Sequence, residues 1–297
     1  MSLRTVITAN KLTLGSAARI LELDKSTISK ICSQTYPNWE QKEEQCIQDL
    51  AKKGYTKIVP DQFNVDTDVV VPTRSVDAFV SLADDLSDPE GSACSSLGMV
   101  IGVAERGKTH SARWYVETHP DACYVLFIEG STRVSLLRDI CEALSGIRPI
   151  TFGACLSSIH EACSRRRRLI IIDEADKLPV SFLELIRGIN ERCAVPILLT
   201  GEEGLKAKVD KVPRLRSRIR KPVVLYEQIN FVDVAAFYAN ACGIDIDRHI
   251  AETLAKRCRG AWRSLVNDAL ALARIGRASG IATVTPEMIE KLGEVGK

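Results

Sequence analysis

Apolar positions recur along the chain with two different rhythms. Over residues 1–55 the rhythm is helical: Leu14, Ala17, Ala18, Ile20 and Leu21 fall on one face of a helix. The break Glu22-Leu23-Asp24 follows, and Lys25-Ser26-Thr27-Ile28-Ser29-Lys30-Ile31 opens a second helix. Asp24 suits its N-cap, because a carboxylate there accepts an amide proton from the first turn. Tyr36-Pro37-Asn38 punctuates, and Glu40–Lys53 makes another amphipathic helix. From Gly98 the rhythm changes to short apolar runs, Met99–Gly102, Tyr124–Glu129, Leu169–Asp173, Pro196–Thr200 and Val223–Tyr226. They alternate with helical stretches such as Ser131–Leu144, which predicts an α/β fold with a parallel sheet flanked by helices. After about Ile229 the strands stop and helices dominate. Residues 56–97 mix Pro60, Pro72 and Pro89 with acids and a Ser/Gly-rich tail, and read as a linker with one helix near Ser75–Leu86. The expected organisation is a small helical domain at 1–55, a linker at 56–97, an α/β core at 98–228 and a helical region at 229–297.

Composition sharpens this division. Hydrophobic residues at 45% and charged residues at 26% are ordinary for a folded soluble chain and exclude overall disorder. The net charge of +2 is silent about nucleic acid until it is split. Residues 1–60 carry net +3, 61–97 carry net −7, and 98–297 carry net +6. The cysteines, Cys32, Cys46, Cys94, Cys123, Cys141, Cys155, Cys163, Cys193, Cys242 and Cys258, include no CxxC pair and no zinc-like spacing. They read as reduced core thiols of a cytoplasmic protein. The N-terminus has no apolar leader, and no apolar run reaches membrane-spanning length, so neither export nor membrane embedding is expected.

The chemistry concentrates in the α/β region. The first strand runs into Gly102-Val103-Ala104-Glu105-Arg106-Gly107-Lys108-Thr109, which fits GxxxxGK[ST]. In such a loop, backbone amides surround phosphates, the lysine reaches β/γ oxygens, the Thr hydroxyl ligates Mg2+, and the next helix aims its positive end at the anion. Leu169-Ile170-Ile171-Ile172 ends in Asp173 and Glu174. Asp173 can complete the Mg2+ shell and Glu174 can polarise an attacking water. Thr200, at the end of the next strand, can sense a γ-phosphate or simply close the strand. Arg214, Arg216, Arg218 and Arg220 precede the last strand, and Arg263 opens a late helix. In the N-terminal region, helix, short turn and polar-fronted helix make a helix-turn-helix pattern. There Lys25, Ser26, Thr27, Ser29 and Lys30 suit DNA phosphate and base-edge contacts. A helical bundle that mediates protein contacts remains the alternative.

Together these residues resemble the AAA+ ATPases, with Lys108 and Thr109 matching Walker A, Asp173 and Glu174 Walker B, and Thr200 sensor 1. Leu215-Arg216-Ser217-Arg218 is similar to the box that ends in an arginine finger, here Arg218, and Gly260-Ala261-Trp262-Arg263 is similar to sensor 2, here Arg263. The Asp173–Asp176 DEAD form, the helical lid, the N-terminal helix-turn-helix, Thr27-Ile28-Ser29, Tyr36 and Arg214-Leu215-x-Ser217-Arg218-Ile219 resemble the target-selection ATPases of transposing bacteriophages, the Mu B protein type. That resemblance implies a P-loop AAA+ sheet with a C-terminal helical lid at 229–297 and an all-α N-terminal domain. It further implies ATP and Mg2+ as cofactors, an ATP-dependent helical filament or ring of identical subunits on duplex DNA, and delivery of that DNA to a transposase in the bacterial host cytoplasm. Hydrolysis would disassemble the filament.

Within the expected Ser131–Leu144 helix, Arg133 and Arg138 are candidates to line a DNA path. Lys206–Lys221 holds 8 basic residues against Asp210, and part of it should serve the nucleotide interface. Arg165–Arg168, just before a strand, reads as a solvated helix end. A secretion-associated AAA+ ATPase and a nucleotide-switched helix-turn-helix regulator are the competing readings; the former needs a membrane tether. One departure concerns the loop: Glu105 stands where the family has glycine, which restricts positive φ and puts a carboxylate beside phosphate unless it pairs with a base such as Arg106. Weak ATPase activity, stimulated by DNA or transposase, is therefore expected.

Overall fold

A computed structural model of the chain describes residues 3, 6–7, 10, 12–32, 36–55, 64–88 and 96–294. Pro60, Pro89 and Cys94 lie outside the described residues. The chain divides into two compact units, one of residues 1–66, 242–246 and 267–297, the other of residues 67–241 and 247–266.

In the first unit, α1 (Leu14–Leu21) begins at a capping box in which Ser16 N donates to Thr13 Oγ1 at 3.1 Å and Thr13 N to Ser16 Oγ at 2.7 Å. It ends at Glu22, whose φ of 56° turns the chain toward α2 (Lys25–Cys32). Helix α3 (Trp39–Lys52) follows. The apolar spacing decides the packing: Ala17, Ala18, Ile28, Ile31, Cys46 and Leu50 form the core with Leu3, Val6 and Ile7. Because Ile28 and Ile31 face inward, Lys25, Ser26, Ser29 and Lys30 are exposed and Thr27 is half-buried.

The second unit is built on a five-stranded parallel sheet in the order β2-β3-β4-β1-β5. The strands are β1 (Leu97–Gly102), β2 (Ala122–Leu126), β3 (Leu169–Asp173), β4 (Ile197–Gly201) and β5 (Val224–Tyr226). Their side chains alternate between two cores. Met99, Ile101, Ile170 and Ile172 join the core beneath α6 (Arg133–Ser145), α7 (Phe152–Arg165) and α8 (Val180–Cys193). Val100, Leu169, Ile171 and Leu198 join the other, beneath α4 (Arg74–Ser87) and α5 (Lys108–Thr118). With both faces covered, β1 and β3 are buried along their whole length, which explains their unbroken apolar sequence. The second unit also holds a 3-10 turn (Ala175–Lys177), α9 (Gly204–Asp210), α10 (Pro213–Arg216), α11 (Phe231–Cys242), α12 (Arg248–Cys258) and the start of α13 (Trp262–Ser279), whereas the rest of α13 and α14 (Pro286–Glu294) fall in the first unit.

Several strand limits differ from the apolar pattern, most by one or two residues. Strand β1 starts at Leu97 rather than Met99. Gly98 hides this start, yet the position must lack a side chain: a Cβ there would stand 2.5 Å from Leu86 Cδ1 and 2.8 Å from Leu198 Cδ1. Strand β2 ends at Leu126 rather than Glu129, and the apolar Ile128 is exposed beyond it. Helix α4 lies inside the proline-rich 56–97 segment, and its Phe79, Leu82, Ala83 and Leu86 belong to the sheet's core.

Within the Arg165–Arg168 run the first two residues are exposed, as expected of a solvated helix end, and the last two are tied into the fold. Arg165 pairs with Glu161 at 2.5 Å, and Arg166 with Asp121. Arg167 donates to the Leu86 and Ser87 carbonyls at the end of α4, both at 3.2 Å, and Arg168 to the Leu144 carbonyl at the end of α6. Guanidinium groups satisfy the orphan carbonyls of helix C-termini and complement their negative dipole ends. Burial pushes the Cys123 thiol up to about 12, and those of Cys141 and Cys163 to about 11, consistent with inert core thiols. Among the described residues, no helix is long and apolar enough to cross a membrane.

Candidate phosphate-binding site

All five strands are parallel, so their carboxyl ends share one edge, and the loop after β1 opens there. Gly107, with φ 97°, caps the start of α5, a conformation that favours glycine. The ring of Trp262 closes on it: a Cβ at Gly107 would lie 3.0 Å from Trp262 Cδ1. The Lys108 ammonium donates to the carbonyls of Gly102 at 2.7 Å and Val103 at 2.9 Å. Burial lowers the pKa of Lys108, opposed by the charges of Glu202, Asp173, Asp176 and Glu174.

Asp173, at the end of β3, is 2% exposed and gathers four donors. Thr109 Oγ1 donates to Oδ2 at 2.7 Å and Thr200 Oγ1 to Oδ1 at 2.5 Å. Tyr124 OH also donates to Oδ2, at 2.9 Å, and the Glu174 amide to Oδ1 at 2.9 Å. Three sequence-predicted residues thus converge on one carboxylate. Tyr124 was not predicted. The hydroxyl reaches Asp173 because β2 lies beside β3, and burial with Asp173 pushes it up to about 12. Arg113 sits 5.3 Å over its ring. The only signal was a phenol in an otherwise apolar strand.

Glu174 takes a left-handed φ of 58° and pairs with Lys177 at 2.8 Å. The turn after it needs Gly201, because a Cβ there would meet the Asp176 backbone N at 2.8 Å. Arg218 pairs with Glu191 and donates to the Arg214 carbonyl at 2.9 Å. Arg133 is exposed, 6.0 Å from the Phe182 ring, whereas Arg138 is half-buried. Five positions apart on one helix, roughly 140° around its axis, these two arginines do not share a face.

Glu105 adopts φ 65°, the left-handed conformation that its glycine-like position demands. Its carboxylate pairs with Arg263 Nη1 at 2.9 Å, not with Arg106 as the sequence suggested. Arg106 instead donates to the carbonyls of Gly260 and, at 3.3 Å, Arg259. Trp262 N donates to the Glu105 carbonyl at 2.9 Å, so the loop and the 259–263 turn are tied at several points.

Residues 94–209 match the family described as AAA domain. No curated protein matches the chain. Similar solved structures include the Aeropyrum pernix ORC1 protein in complex with DNA, at 18% identity and TM-score 0.55, covering 81% of this chain and 68% of that one. The Aeropyrum pernix ORC2 protein in its ADPNP-ADP complexes is similar at 14% identity and TM-score 0.57, covering 80% and 70%. The Thermotoga maritima RuvB Holliday junction branch migration motor is similar at 17% identity and TM-score 0.52, covering 79% and 72%. The sheet order, the loop after β1 and these likenesses give the chain the P-loop AAA+ fold, with an AAA domain match over residues 94–209.

Proposed function

We propose that the protein is a Mg2+-dependent ATPase that binds duplex DNA under nucleotide control, assembles on it as a helical filament or ring, and delivers it to a transposase. The observation that carries the nucleotide reading is the convergence of Thr109 and Thr200 on Asp173 beside the Lys108 loop. The residues present fit both cofactors. Gly102, Gly107 and the start of α5 offer backbone amides to a triphosphate, and Lys108 exchanges its loop carbonyls for β/γ oxygens. The Thr109 hydroxyl and Asp173 carboxylate supply the hard oxygen ligands that Mg2+ prefers, and the ion neutralises phosphate charge when bound.

Glu174, positioned by its pairing with Lys177, orients and deprotonates the attacking water. Thr200, fixed on Asp173, holds the hydrogen-bond geometry at the γ-phosphate. Arg263 binds phosphate from the lid side, and Arg218 reaches a neighbouring subunit's nucleotide after leaving Glu191. In this reading residues 1–55 form the helix-turn-helix module, 98–228 the nucleotide core and 229–297 the lid, in a protein of the bacterial host cytoplasm. The exposed Lys25, Ser26, Ser29 and Lys30, with Thr27 beside them, supply phosphate contacts from α2, and the exposed Arg133 contributes from α6, which the half-buried Arg138 on another face does not join. The DNA-complexed ORC1 protein and the branch migration motor support a DNA role by likeness of fold.

The exposed polar front of α2 also favours a second reading, a nucleotide-switched transcription regulator. Electron microscopy of the full chain with duplex DNA and a non-hydrolysable ATP analogue separates the two. Nucleotide-dependent filaments on any sequence support the proposal, and a discrete dimer confined to one operator sequence overturns it.

A further inference from the structure

The phosphate loop carries a carboxylate where an incoming triphosphate brings several negative charges, and that carboxylate already has a cation. Glu105 Oε1 lies 2.9 Å from Arg263 Nη1, with the Glu105 side chain 34% exposed and that of Arg263 75% exposed. The contact is not incidental to a loose side chain. Glu105 holds a left-handed φ of 65°, its carbonyl accepts the Trp262 amide at 2.9 Å, and Arg106 on the next position grips the Gly260 carbonyl. The backbone of the loop is therefore registered to the 259–263 turn, and the two charges are placed opposite each other by that register. A partly exposed pair contributes little to folding stability, so its effect falls on whatever else competes for the guanidinium.

We propose that Glu105 is a built-in competitor of the nucleotide phosphates for Arg263, and thereby sets the affinity of the site. This rests on the nucleotide reading of the loop. With no anion in the loop, Arg263 is held by Glu105. A triphosphate seated on the loop amides offers Arg263 a denser negative charge within reach of the same rim. The guanidinium transfers from carboxylate to phosphate, and Glu105 turns outward because two like charges repel at that distance. Binding thus always includes the cost of breaking one ion pair. No covalent step is involved; the exchange is of one charge-assisted hydrogen-bonded pair for another. The same exchange alters the tie between the loop and the turn that carries Trp262, so occupancy of the loop is reported to the start of α13.

The test is a titration of fluorescent ATP analogue with Mg2+ against the full chain at low and high salt. It uses wild type, Lys108→Ala, Glu105→Gln, Arg263→Gln and the Glu105→Gln/Arg263→Gln double variant. Glutamine at position 105 keeps the size of the side chain and removes only its charge, glutamine at position 263 shortens the side chain and removes the guanidinium, and circular dichroism confirms that each variant is folded. The expected result is that Glu105→Gln binds about 5-fold more tightly than wild type at low salt, with the gain shrinking at high salt. Arg263→Gln should cost little in wild type and several-fold more in the Glu105→Gln background, because only there is the guanidinium free for phosphate alone. Equal or weaker binding by Glu105→Gln overturns the proposal. So does a gain that is undiminished in the Arg263→Gln background, since Glu105 would then act by simple repulsion. Lys108-dependent binding in wild type together with either of those results sinks this inference alone. Binding that is absent, or indifferent to Lys108→Ala, in every protein sinks the nucleotide reading and the competition with it.

Discussion

The polar groups around Asp173 and those along α2 are of similar chemical type and are held in opposite ways. At Asp173 every polar atom is turned inward. Three hydroxyls and an amide converge on a carboxylate that is 2% exposed, and each donor comes from a different segment of the second unit. Along α2, in the first unit, Ile28 and Ile31 take the buried face and leave Lys25, Ser26, Ser29 and Lys30 in solvent. The first arrangement is pre-organised, so that its groups need not reorganise when charge develops on a phosphate. The second faces solvent from the surface of a helix, where contact with a ligand of regular negative charge would depend on salt more than on shape. Removing one group at Asp173 should therefore damage its neighbours, whereas removing one from α2 should subtract a single contact.

The largest effect is expected at the carboxylate itself. Asp173→Ala strands two threonine hydroxyls and a tyrosine hydroxyl and removes the proposed Mg2+ ligand, and should lower ATP turnover about 10²- to 10³-fold in a phosphate-release assay. Next is a core change beneath α2. Ile28 is fully buried, and Ile28→Ala should cost about 2–4 kcal/mol in the first unit by denaturant unfolding. Nucleotide binding at the second unit should persist. Gly107→Ala imposes φ 97° on a residue with a Cβ that meets Trp262, and should lose about 1–2 kcal/mol of stability together with nucleotide affinity.

The surface change is gentler and has a different signature. Lys25→Gln with Lys30→Gln should leave stability unchanged while lowering the salt slope of DNA binding by about 2. A slope unchanged by both substitutions would place the DNA contacts elsewhere. The smallest effect is at Tyr124→Phe, which removes one of four donors to Asp173 and should cost about 1 kcal/mol. Because the Tyr124 hydroxyl is pushed up to about 12, its linked stability is complete below about pH 10 and is lost as pH rises through 12. The Phe variant should lack that alkaline loss.

Much of the second unit was legible from residue pattern because the pattern and the physics coincide there. A strand buried on both faces reads as a near-continuous apolar run, and Leu169–Ile172 with the terminal Asp173 reads and folds as the same five residues. The phosphate loop was legible for a similar reason, since glycine, lysine and threonine have fixed tasks around an anion. What escaped depends on which elements become neighbours. Tyr124 meets Asp173 only because β2 is placed next to β3, and the partner of Glu105 is Arg263, far along the chain. Arg167 and Arg168 looked like solvated charge because the carbonyls they cap, at Leu86, Ser87 and Leu144, lie on helices distant in sequence. Gly98 concealed the start of β1, its lack of a side chain being a packing requirement rather than a turn signal.

In the proposed function, nucleotide held by the Lys108 loop controls engagement with DNA. This control is tested most directly by fluorescence anisotropy of labelled duplex DNA with wild type and Lys108→Ala, each with and without MgATP at fixed salt. MgATP should tighten DNA binding by wild type at least about tenfold, the equivalent of ~1.4 kcal/mol, and leave Lys108→Ala unchanged. Equal responses by the two proteins, or no response by wild type, would contradict it.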